Sequence, residues 1–319
     1  MILTVTLNAA VDRTVAVPNF RLSQRHRAVE SQTVAGGKGV NVARALKLLG
    51  RPVIATGLAG GSTGTRVLER LAEESILNDF TRIDGESRTN LSVVDPTTGE
   101  QTEINERGPR ITPEEIDRFI EKLLYLAQGA TICVLAGSTP PGTDPDVYAR
   151  LVTELKTLGV LSVLDTDGEQ MRAGLRAEPA VVAPNIGEAE EAVGHEFNDD
   201  DDQALGLAGL IEMGASDAII TNPNGCAAIV GKGSERRRYD VQIEQLEPIA
   251  TVGSGDAFLA GYVAARYEGA SPRECLTYGV ACGAQSTQHF GAGTLDPREV
   301  DRLVPLVNVA ELDVPAGVA

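Results

Sequence analysis

The sequence predicts an α/β protein of three layers, in which a mostly parallel, doubly wound sheet lies between two layers of helices. Two observations lead to this fold class. Short β-branched or apolar segments recur along the chain, and most of them alternate with segments of helical period. These apolar segments are also too continuous for strands with one face in water, so we expect the sheet to be covered on both faces.

Six apolar segments are the predicted strands, and helical patterns separate most of them. The strands are ILTVTL (2–7), VIATGLAG (53–60), ICVLAG (132–137), LSVLDT (161–166), AVVAPN (180–185) and AIITN (218–222). The helices are GVNVARALKLLG (39–50), GTRVLERLAEESI (64–76), TPEEIDRFIEKLLYLAQ (112–128) and DPDVYARLVTELKTLG (144–159). Nearly every strand leads into small or polar residues. Ligands of open α/β sheets bind beyond the carboxyl ends of the strands, so we expect the site at that edge.

Two segments interrupt the alternation of strands and helices. Residues 12–34 lack a helical period, and residues 88–106 have the pattern of a hairpin around the turn DPTTGE. We expect four short strands here, forming a small lid sheet inserted in two pieces into a main domain of residues 1–11, 35–87 and 107–319. Such a sheet could close over a ligand or pair with a partner chain. An edge extension of the main sheet is the alternative.

The overall charge narrows the range of partners. Among 319 residues, 45 are acidic and 28 are Lys or Arg, which gives a formal net charge of −17. Such a surface repels phosphate backbones, so nucleic acid and anionic membranes are unfavourable partners. No apolar run approaches the roughly 18 residues of a membrane span. The four cysteines form no CxxC motif, which favours reduced thiols in a cytoplasmic protein.

The segment TVGSGDAFLAGYVAARY, residues 251–267, places a glycine-rich turn ahead of an apolar helix. Such a turn presents unpaired N–H groups and the positive end of the helix dipole to an anion. Phosphoryl transfer needs this stabilisation and also a base near the attacking hydroxyl. The backbone of Gly253, Ser254, Gly255 and Asp256 would supply the first, and the Asp256 carboxylate the second. An aspartate that merely starts a helix is the alternative.

Two further motifs stand where ligands are expected. AGGKGVN, at 35–41, does not match the dinucleotide fingerprint GxGxxG, which disfavours a Rossmann-type dehydrogenase. Lys38 and Asn41 would face a small ligand from the first helical turn, unless the glycines form only a tight turn. PNIGE places Asn185 and Glu188 at a strand end, which fits hydrated Mg²⁺ and nucleotide phosphates. Asn185 could equally cap the following helix.

Taken in order, the blocks GGKGVNVARALKLLG, GSTPPG (137–142), PNIGEAE and TVGSGDAFLAGY resemble those of the PfkB, or ribokinase-like, carbohydrate kinases over essentially the whole chain. LNAAVD and SRTNLSV (87–93) resemble the 1-phosphofructokinase and tagatose-6-phosphate kinase branch. The resemblance implies a ribokinase-like fold, usually dimeric through the lids, that uses ATP, Mg²⁺ and in some relatives K⁺. It implies fructose 1-phosphate as the substrate, with tagatose 6-phosphate and fructose 6-phosphate as alternatives.

The resemblance also implies roles for individual residues. Asp256 would be the base, and residues 253–256 the anion hole. The sugar phosphate would be bound by Asp12, Gly37, Lys38, Asn41, Arg88, Asn90, Glu103, Ser138 and Arg27, with Arg88 and Lys38 holding its phosphate. The nucleotide would be bound by Asn185, Thr221, Asn222, Gly225 and Gly283, with Glu188 organising Mg²⁺ through water. A monovalent cation would be bound by backbone groups of Ala250, Val252, Ser286, His289, Gly291 and Gly293.

The chain departs from the family pattern near the expected nucleotide. Ala183 stands where the family often has a lysine, and that lysine can contact ATP phosphates. The loop TNPNG, residues 221–225, lacks one glycine of the usual nucleotide loop. These departures leave open a catalytically weak sensor of sugar phosphate or nucleotide. The intact GSGD motif favours the kinase, because a sensor needs no base.

Overall fold

The computed structural model describes residues 1–244 and 246–315, which contain two separate sheets. The strands of the main sheet are β1 (Ile2–Thr6), β4 (Val53–Gly60), β5 (Leu77–Ile83), β8 (Ile132–Ala136), β9 (Leu161–Asp165), β10 (Val181–Val182), β11 (Asp217–Asn222), β12 (Gly225–Val230), β13 (Arg237–Gln242) and β14 (Asn308–Leu312). The strands of the smaller sheet are β2 (Ala10–Ala16), β3 (Glu30–Gly36), β6 (Arg88–Val94) and β7 (Gln101–Asn105).

Helices connect most of the parallel strands and cover the main sheet. They are α1 (Lys38–Leu48), α2 (Gly61–Glu73), α3 (Pro113–Ala127), α4 (Val147–Thr157), α5 (Gly168–Arg176), α6 (Ile186–Val193), α7 (Asp200–Glu212), α8 (Ser254–Tyr267), α9 (Pro272–Ser286) and α10 (Pro297–Leu303). Among the described residues, none of the helices is both long and apolar enough to cross a membrane.

The main sheet has the strand order β14-β13-β12-β11-β10-β9-β8-β1-β4-β5. Neighbours from β11 to β5 are parallel, and β12, β13 and β14 add an antiparallel extension. The predicted α/β class is therefore confirmed, and each of the six predicted strands is present. The sequence did not reveal β5 or the antiparallel extension, because β5, β13 and β14 are not continuous apolar segments and β12 follows β11 without an intervening helix.

Strand β1 shows why the apolar segments are continuous. Its five residues are all buried. Leu3 and Val5 belong to a core cluster with residues of α3 and α4, whereas Ile2 belongs to the cluster that includes residues of α1, α8 and α9. A strand between two helical layers needs apolar side chains on both faces. This three-layer packing holds the carboxyl ends of the parallel strands at one edge.

The four-stranded sheet has the order β3-β2-β6-β7. Strand β2 is antiparallel to β3 and parallel to β6, while β6 and β7 form the predicted hairpin. The sheet is separate from the main sheet, so the edge-extension alternative is wrong. We call it the lid sheet below. The division of the chain into subdomains at residues 12–34 and 88–106 remains a prediction.

Candidate active site

A cavity of about 1100 Å³ is lined by residues from the carboxyl edge of the main sheet and from the lid sheet. The predicted residues that line it include Asp12, Gly37, Lys38, Asn41, Arg88, Asn90, Glu103, Ser138, Asn185, Glu188, Thr221, Asn222, Gly225, Gly253, Ser254, Gly255, Asp256 and Gly283. Segments far apart in the chain thus meet at the edge where the fold class predicts a ligand.

Asp256 lies in the first turn of α8, and only 6 % of its surface is exposed. Its Oδ2 atom accepts a hydrogen bond of 2.8 Å from Asn41 Nδ2. Burial raises the pKa of Asp256 to about 7, although the nearby Lys38 ammonium opposes the shift. A carboxylate with a pKa near the working pH is well suited to accept a proton from a substrate.

The turn before α8 is shaped by Gly253, whose φ of 83° is in the left-handed region. A Cβ atom at this position would lie 2.6 Å from the Cα of Ala292, so a side chain would clash with the facing loop. In the part of the chain that the structure describes, no side chain caps the start of α8. The Ser254 N–H donates to Thr251 O at 3.2 Å. Among the described residues, the N–H groups of Gly253, Gly255 and Asp256 have no backbone partner, so these are the free donors of the predicted anion hole.

The glycines of AGGKGVN bring the lid sheet close to the start of α1. A Cβ atom on Gly36 would lie 2.0 Å from Asp12 Oδ2, so only glycine leaves room for this carboxylate. Asp12 Oδ1 accepts a hydrogen bond of 2.8 Å from Asn90 Nδ2. Burial raises the pKa of Asp12, against the hydrogen bond from Asn90 and the charge of Arg88. The glycine cluster therefore does more than form a tight turn.

Lys38 extends toward the predicted nucleotide end of the cavity. Its Nζ lies 2.8 Å from Asp165 Oδ1 and 3.2 Å from Glu188 Oε1. Burial opposes the charge on Lys38, but Asp165, Glu188 and Asp256 together raise its pKa. The sequence placed Lys38 with Arg88 on the phosphate of the sugar. In the structure the ammonium pairs with two carboxylates that compensate its burial, and its contact with the sugar phosphate remains a prediction.

Arg88, at the start of β6, is a cationic residue of the lid sheet that lines the cavity. Its Nε donates to Asn8 O at 3.0 Å, and its Nη1 donates to Glu106 O at 3.1 Å. The Asn8 amide in turn donates to Ser138 Oγ at 3.4 Å. These backbone contacts hold a planar guanidinium, which binds phosphate oxygens in pairs, at the cavity wall.

Asn185 caps the following helix, which is one of the two roles that the sequence left open, and its role toward Mg²⁺ and nucleotide phosphates remains a prediction. Its side chain accepts a hydrogen bond from Glu188 N at 3.0 Å, and Glu188 Oε2 accepts one from Asn185 N at 2.9 Å. This capping box starts α6, and both residues also line the cavity. Asp165 and Glu188 offer the carboxylate oxygens that Mg²⁺ prefers, so these side chains fit a magnesium site.

Some predicted residues do not reach the cavity. Arg27 is exposed on the segment between β2 and β3 and is not among the cavity-lining residues. The predicted contact of Arg27 with the sugar phosphate therefore remains a prediction. Of the predicted cation positions, Ala250, Val252 and Gly291 line the cavity, whereas Ser286, His289 and Gly293 do not.

The backbone around the predicted cation site is partly occupied by internal hydrogen bonds. The Ser286 carbonyl accepts a hydrogen bond from His289 N at 3.1 Å. The His289 ring interacts with the Gln285 amide at 2.8 Å. These contacts tie the end of α9 to the loop that follows it. The set of cation-binding groups therefore remains a prediction.

Sequence reasoning missed Arg44, which is buried beside Asn41. Its Nη1 donates to Asn41 Oδ1 at 3.0 Å and to Ala292 O at 2.9 Å. A signal was available, because the arginine interrupts the apolar face of GVNVARALKLL three residues after Asn41. Residues three apart lie on the same side of a helix.

Comparison with known proteins places the chain in a family. Residues 5–299 match the model of the pfkB family carbohydrate kinases. A 1-phosphofructokinase of Borreliella burgdorferi is 32 % identical over 284 residues, which cover 89 % of this chain and 90 % of that protein. The chain therefore belongs to the PfkB family, and it is an ATP-dependent carbohydrate kinase.

Two solved structures are similar over nearly the whole chain. A protein described as a possible 1-phosphofructokinase, from Thermotoga maritima, has a TM-score of 0.90 and 26 % identity, with 98 % of this chain and all of the other covered. Phosphofructokinase-2 of Escherichia coli, in complex with potassium, has a TM-score of 0.88 and 25 % identity, with 95 % and 98 % covered. Both likenesses agree with the ribokinase-like fold.

Proposed function

We propose that this kinase transfers the γ-phosphoryl group of ATP to the C6 hydroxyl of fructose 1-phosphate, giving fructose 1,6-bisphosphate and ADP. The observation that carries the proposal is the juxtaposition of Asp256 and Arg88 in one cavity. Asp256 is a buried carboxylate at the N-terminus of α8, and Arg88 is a cation on the lid sheet. The names of the Borreliella and Thermotoga relatives support the choice of substrate.

Asp256 accepts the proton of the C6 hydroxyl as the new bond between that oxygen and the γ-phosphorus forms. The bond from the γ-phosphorus to the β,γ-bridging oxygen breaks, and ADP leaves with its electron pair. Negative charge on the transferred group faces the free N–H groups at the start of α8, which stabilise it without reorganisation. The existing phosphate of the sugar is held at Arg88, a site that a kinase of unphosphorylated sugars does not need.

Mg²⁺ supplies charge neutralisation for the ATP phosphates when it is bound, and Asp165 and Glu188 are the residues that would hold it. The negative charges of Asp165, Glu188 and Asp256 all act on Lys38, and each of them raises its pKa. The Lys38 ammonium is therefore placed to interact with the ATP phosphates at the nucleotide end of the cavity. We also propose K⁺ activation, because backbone groups of Ala250, Val252 and Gly291 line the cavity and the Escherichia coli relative was solved with potassium.

A coupled assay of ADP release tests the proposal. The panel contains fructose 1-phosphate, fructose 6-phosphate, tagatose 6-phosphate and unphosphorylated fructose, each with and without K⁺. We expect the highest kcat/KM for fructose 1-phosphate and the lowest for fructose. Equal rates with fructose and its phosphates would contradict the proposed phosphate site. A higher kcat/KM for another hexose phosphate would show that this sugar, and not fructose 1-phosphate, is the preferred substrate.

Fructose 6-phosphate is the second candidate substrate. The likeness to phosphofructokinase-2 covers 95 % of this chain and favours it. Both sugars use one base and one phosphate-binding cation, so the panel decides between them by the position of the existing phosphate. A chain that binds these sugars without releasing ADP would be the sensor that Ala183 and the loop 221–225 leave open.

A further inference from the structure

We propose that Arg44 is a positioning residue that acts through Asn41 to set the state of Asp256. This proposal rests on the function of Asp256 as the base. Arg44 lies on α1 with 7 % of its surface exposed, and it contacts Asn41, the residue that contacts the base. The contacts run in sequence from Arg44 to Asn41 and from Asn41 to Asp256.

The first step is the orientation of the Asn41 amide. A guanidinium has only donors, so the Asn41 atom that faces Arg44 Nη1 at 3.0 Å must be the oxygen. The amide nitrogen then points to Asp256 Oδ2 at 2.8 Å. Without Arg44, the amide could rotate by half a turn and present its oxygen to the carboxylate. Arg44 therefore keeps a donor on Oδ2 and leaves the other oxygen, Oδ1, as the proton acceptor.

The second step concerns the anchoring of Arg44 itself. Its Nε and Nη2 atoms donate to the two carboxylate oxygens of Glu74, at the end of α2. Its Nη2 also donates to Ala35 O at 2.6 Å, and its Nη1 to Ala292 O at 2.9 Å. The guanidinium thus has partners on three segments and cannot rotate freely. A bidentate carboxylate pair is the geometry that fixes an arginine most firmly.

The contact with Ala292 links Arg44 to the anion hole as well. A Cβ atom on Gly253 would lie 2.5 Å from Ala292 Cβ, so the loop at Ala292 packs directly on the turn before α8. Arg44 holds the carbonyl of that same residue. One side chain therefore fixes both the partner of the base and the loop that backs the glycine turn.

The readout is the pH dependence of kcat/KM, which reports the pKa of the base in the free enzyme. The groups that face Asp256 are Lys38 and Asn41 from α1, Asp165 from β9 and Asp12 from β2. The hydrogen bond from Asn41 lowers the pKa of Asp256, whereas Asp165 and Asp12 raise it. Loss of the oriented Asn41 donor should therefore raise the pKa of Asp256. The acid limb, which is the low-pH part of the profile where kcat/KM falls, should then move to higher pH.

Arg44→Met keeps an unbranched, shorter side chain and removes the donors of the guanidinium. We expect the acid limb to move up by about one pH unit, which is the size of one charge-assisted hydrogen bond, with KM for ATP unchanged. In an Asn41→Leu background, adding Arg44→Met should produce no further shift, because the two residues act as one unit. An unmoved limb, or equal shifts in both backgrounds, overturns the proposal.

Arg266→Met is the matched control, because Arg266 is a half-buried arginine paired with Asp217 at 2.8 Å and is not among the cavity-lining residues. It should lower thermal stability without moving the limb. If Arg44→Met does not fold, Arg44→Lys takes its place. One ammonium cannot hold Asn41, Ala292 and Ala35 together, so a smaller upward shift is expected, and an unmoved limb again overturns the proposal.

The outcome is separable from that of the proposed function. If Asp256→Asn retains the acid limb, the limb does not belong to Asp256 and the assignment of the base fails. If Asp256→Asn abolishes the limb and Arg44→Met leaves it unmoved in the otherwise unchanged enzyme, the base stands and only the positioning role of Arg44 fails.

Discussion

The two walls of the cavity are built differently. The wall at α1 and α8 lies within the three-layer core, where Asp256, Asn41 and Arg44 are each less than 10 % exposed. The lid wall is a single sheet, in which Arg88, Asn90 and Ser92 are only partly buried and Glu103 is exposed. The residues that we propose for the chemistry thus have fixed neighbours, whereas the residues that we propose for recognition of the sugar are more exposed on the lid sheet.

Substitutions in the two walls should therefore affect different kinetic constants. A side chain packed in the core wall keeps its geometry before any ligand binds, so its loss should affect kcat. A side chain of the lid wall is more exposed before a ligand binds, so its loss should mainly affect KM. Substitutions in each wall can test this division between effects on kcat and effects on KM.

The largest effect is expected for Asp256→Asn, which removes the base and keeps the size of the side chain. Loss of a general base lowers kcat by about 10²–10⁴-fold. The sugar phosphate should still bind with nearly unchanged affinity, because its phosphate is held on the other wall. The measurements are ADP release and calorimetric titration with fructose 1-phosphate.

Asp217→Asn is the control for this experiment, because Asp217 is also a buried carboxylate but is not among the cavity-lining residues. Its kcat should stay within a few-fold of the parent enzyme. Activity of Asp256→Asn within tenfold of the parent would contradict the role of base and remove the distinction between the two walls.

Arg88→Ala should have the next largest effect, and mainly on KM. Loss of a charge-assisted hydrogen bond to the sugar's phosphate costs about 1.5–3 kcal/mol, which corresponds to about a 10- to 100-fold rise in KM. KM for ATP should change little. Steady-state kinetics with both substrates varied provides the measurement.

Arg25→Ala serves as the comparison for Arg88→Ala, because Arg25 is an exposed arginine of the segment between β2 and β3 that is not among the cavity-lining residues. It should leave KM unchanged. If Arg88→Ala lowers kcat with KM unaltered, Arg88 belongs functionally to the rigid wall and the division fails.

The pH dependence should follow from the raised pKa of Asp256, which lies at about 7. A base must be deprotonated to act, so kcat/KM should fall about tenfold for each pH unit below that value and reach a plateau above it. The profile of the parent enzyme between pH 5.5 and 8.5 measures this limb. A profile that is flat across neutrality would show that Asp256 ionises far below pH 7 despite its burial.

The smallest effect on catalysis is expected on the face of the lid sheet that carries Ile104, a residue that is not among those lining the cavity. Leu91 and Ile104 are paired across β6 and β7, and Ile104 is 59 % exposed. We propose that this face forms a homodimer, because exposed apolar residues on a sheet gain from a partner surface. Ile104→Lys should convert a dimer to a monomer in sedimentation experiments and lower kcat/KM only a few-fold.

Thr102→Lys is a second probe, because Thr102 lies two positions before Ile104 on β7 and its side chain is on the same face of the sheet. Glu311→Lys is the control, because Glu311 lies on the exposed strand β14 of the main sheet. The parent enzyme sedimenting as a monomer would overturn the dimer. A dimer that persists in both lid variants would place the contact elsewhere.

The class of the fold and the strand ends that carry the site could be predicted from the order of the residues alone. The continuous apolar character of ILTVTL predicts a strand buried on both faces, and β1 is buried throughout. GSGD and PNIGE each mark the start of a helix, α8 and α6, at the cavity. Local backbone geometry and burial on two faces leave a periodic trace in the sequence, so these features could be predicted.

Only the tertiary structure decided how the charged groups share their partners. Lys38 pairs with Asp165 and Glu188, which are 127 and 150 positions away, and Arg27 stays outside the cavity. Arg44 reaches Ala292 across 248 positions. A buried charge takes whichever compensating groups the packing brings within hydrogen-bond distance. That choice depends on distances in space, which a motif and its spacing do not contain.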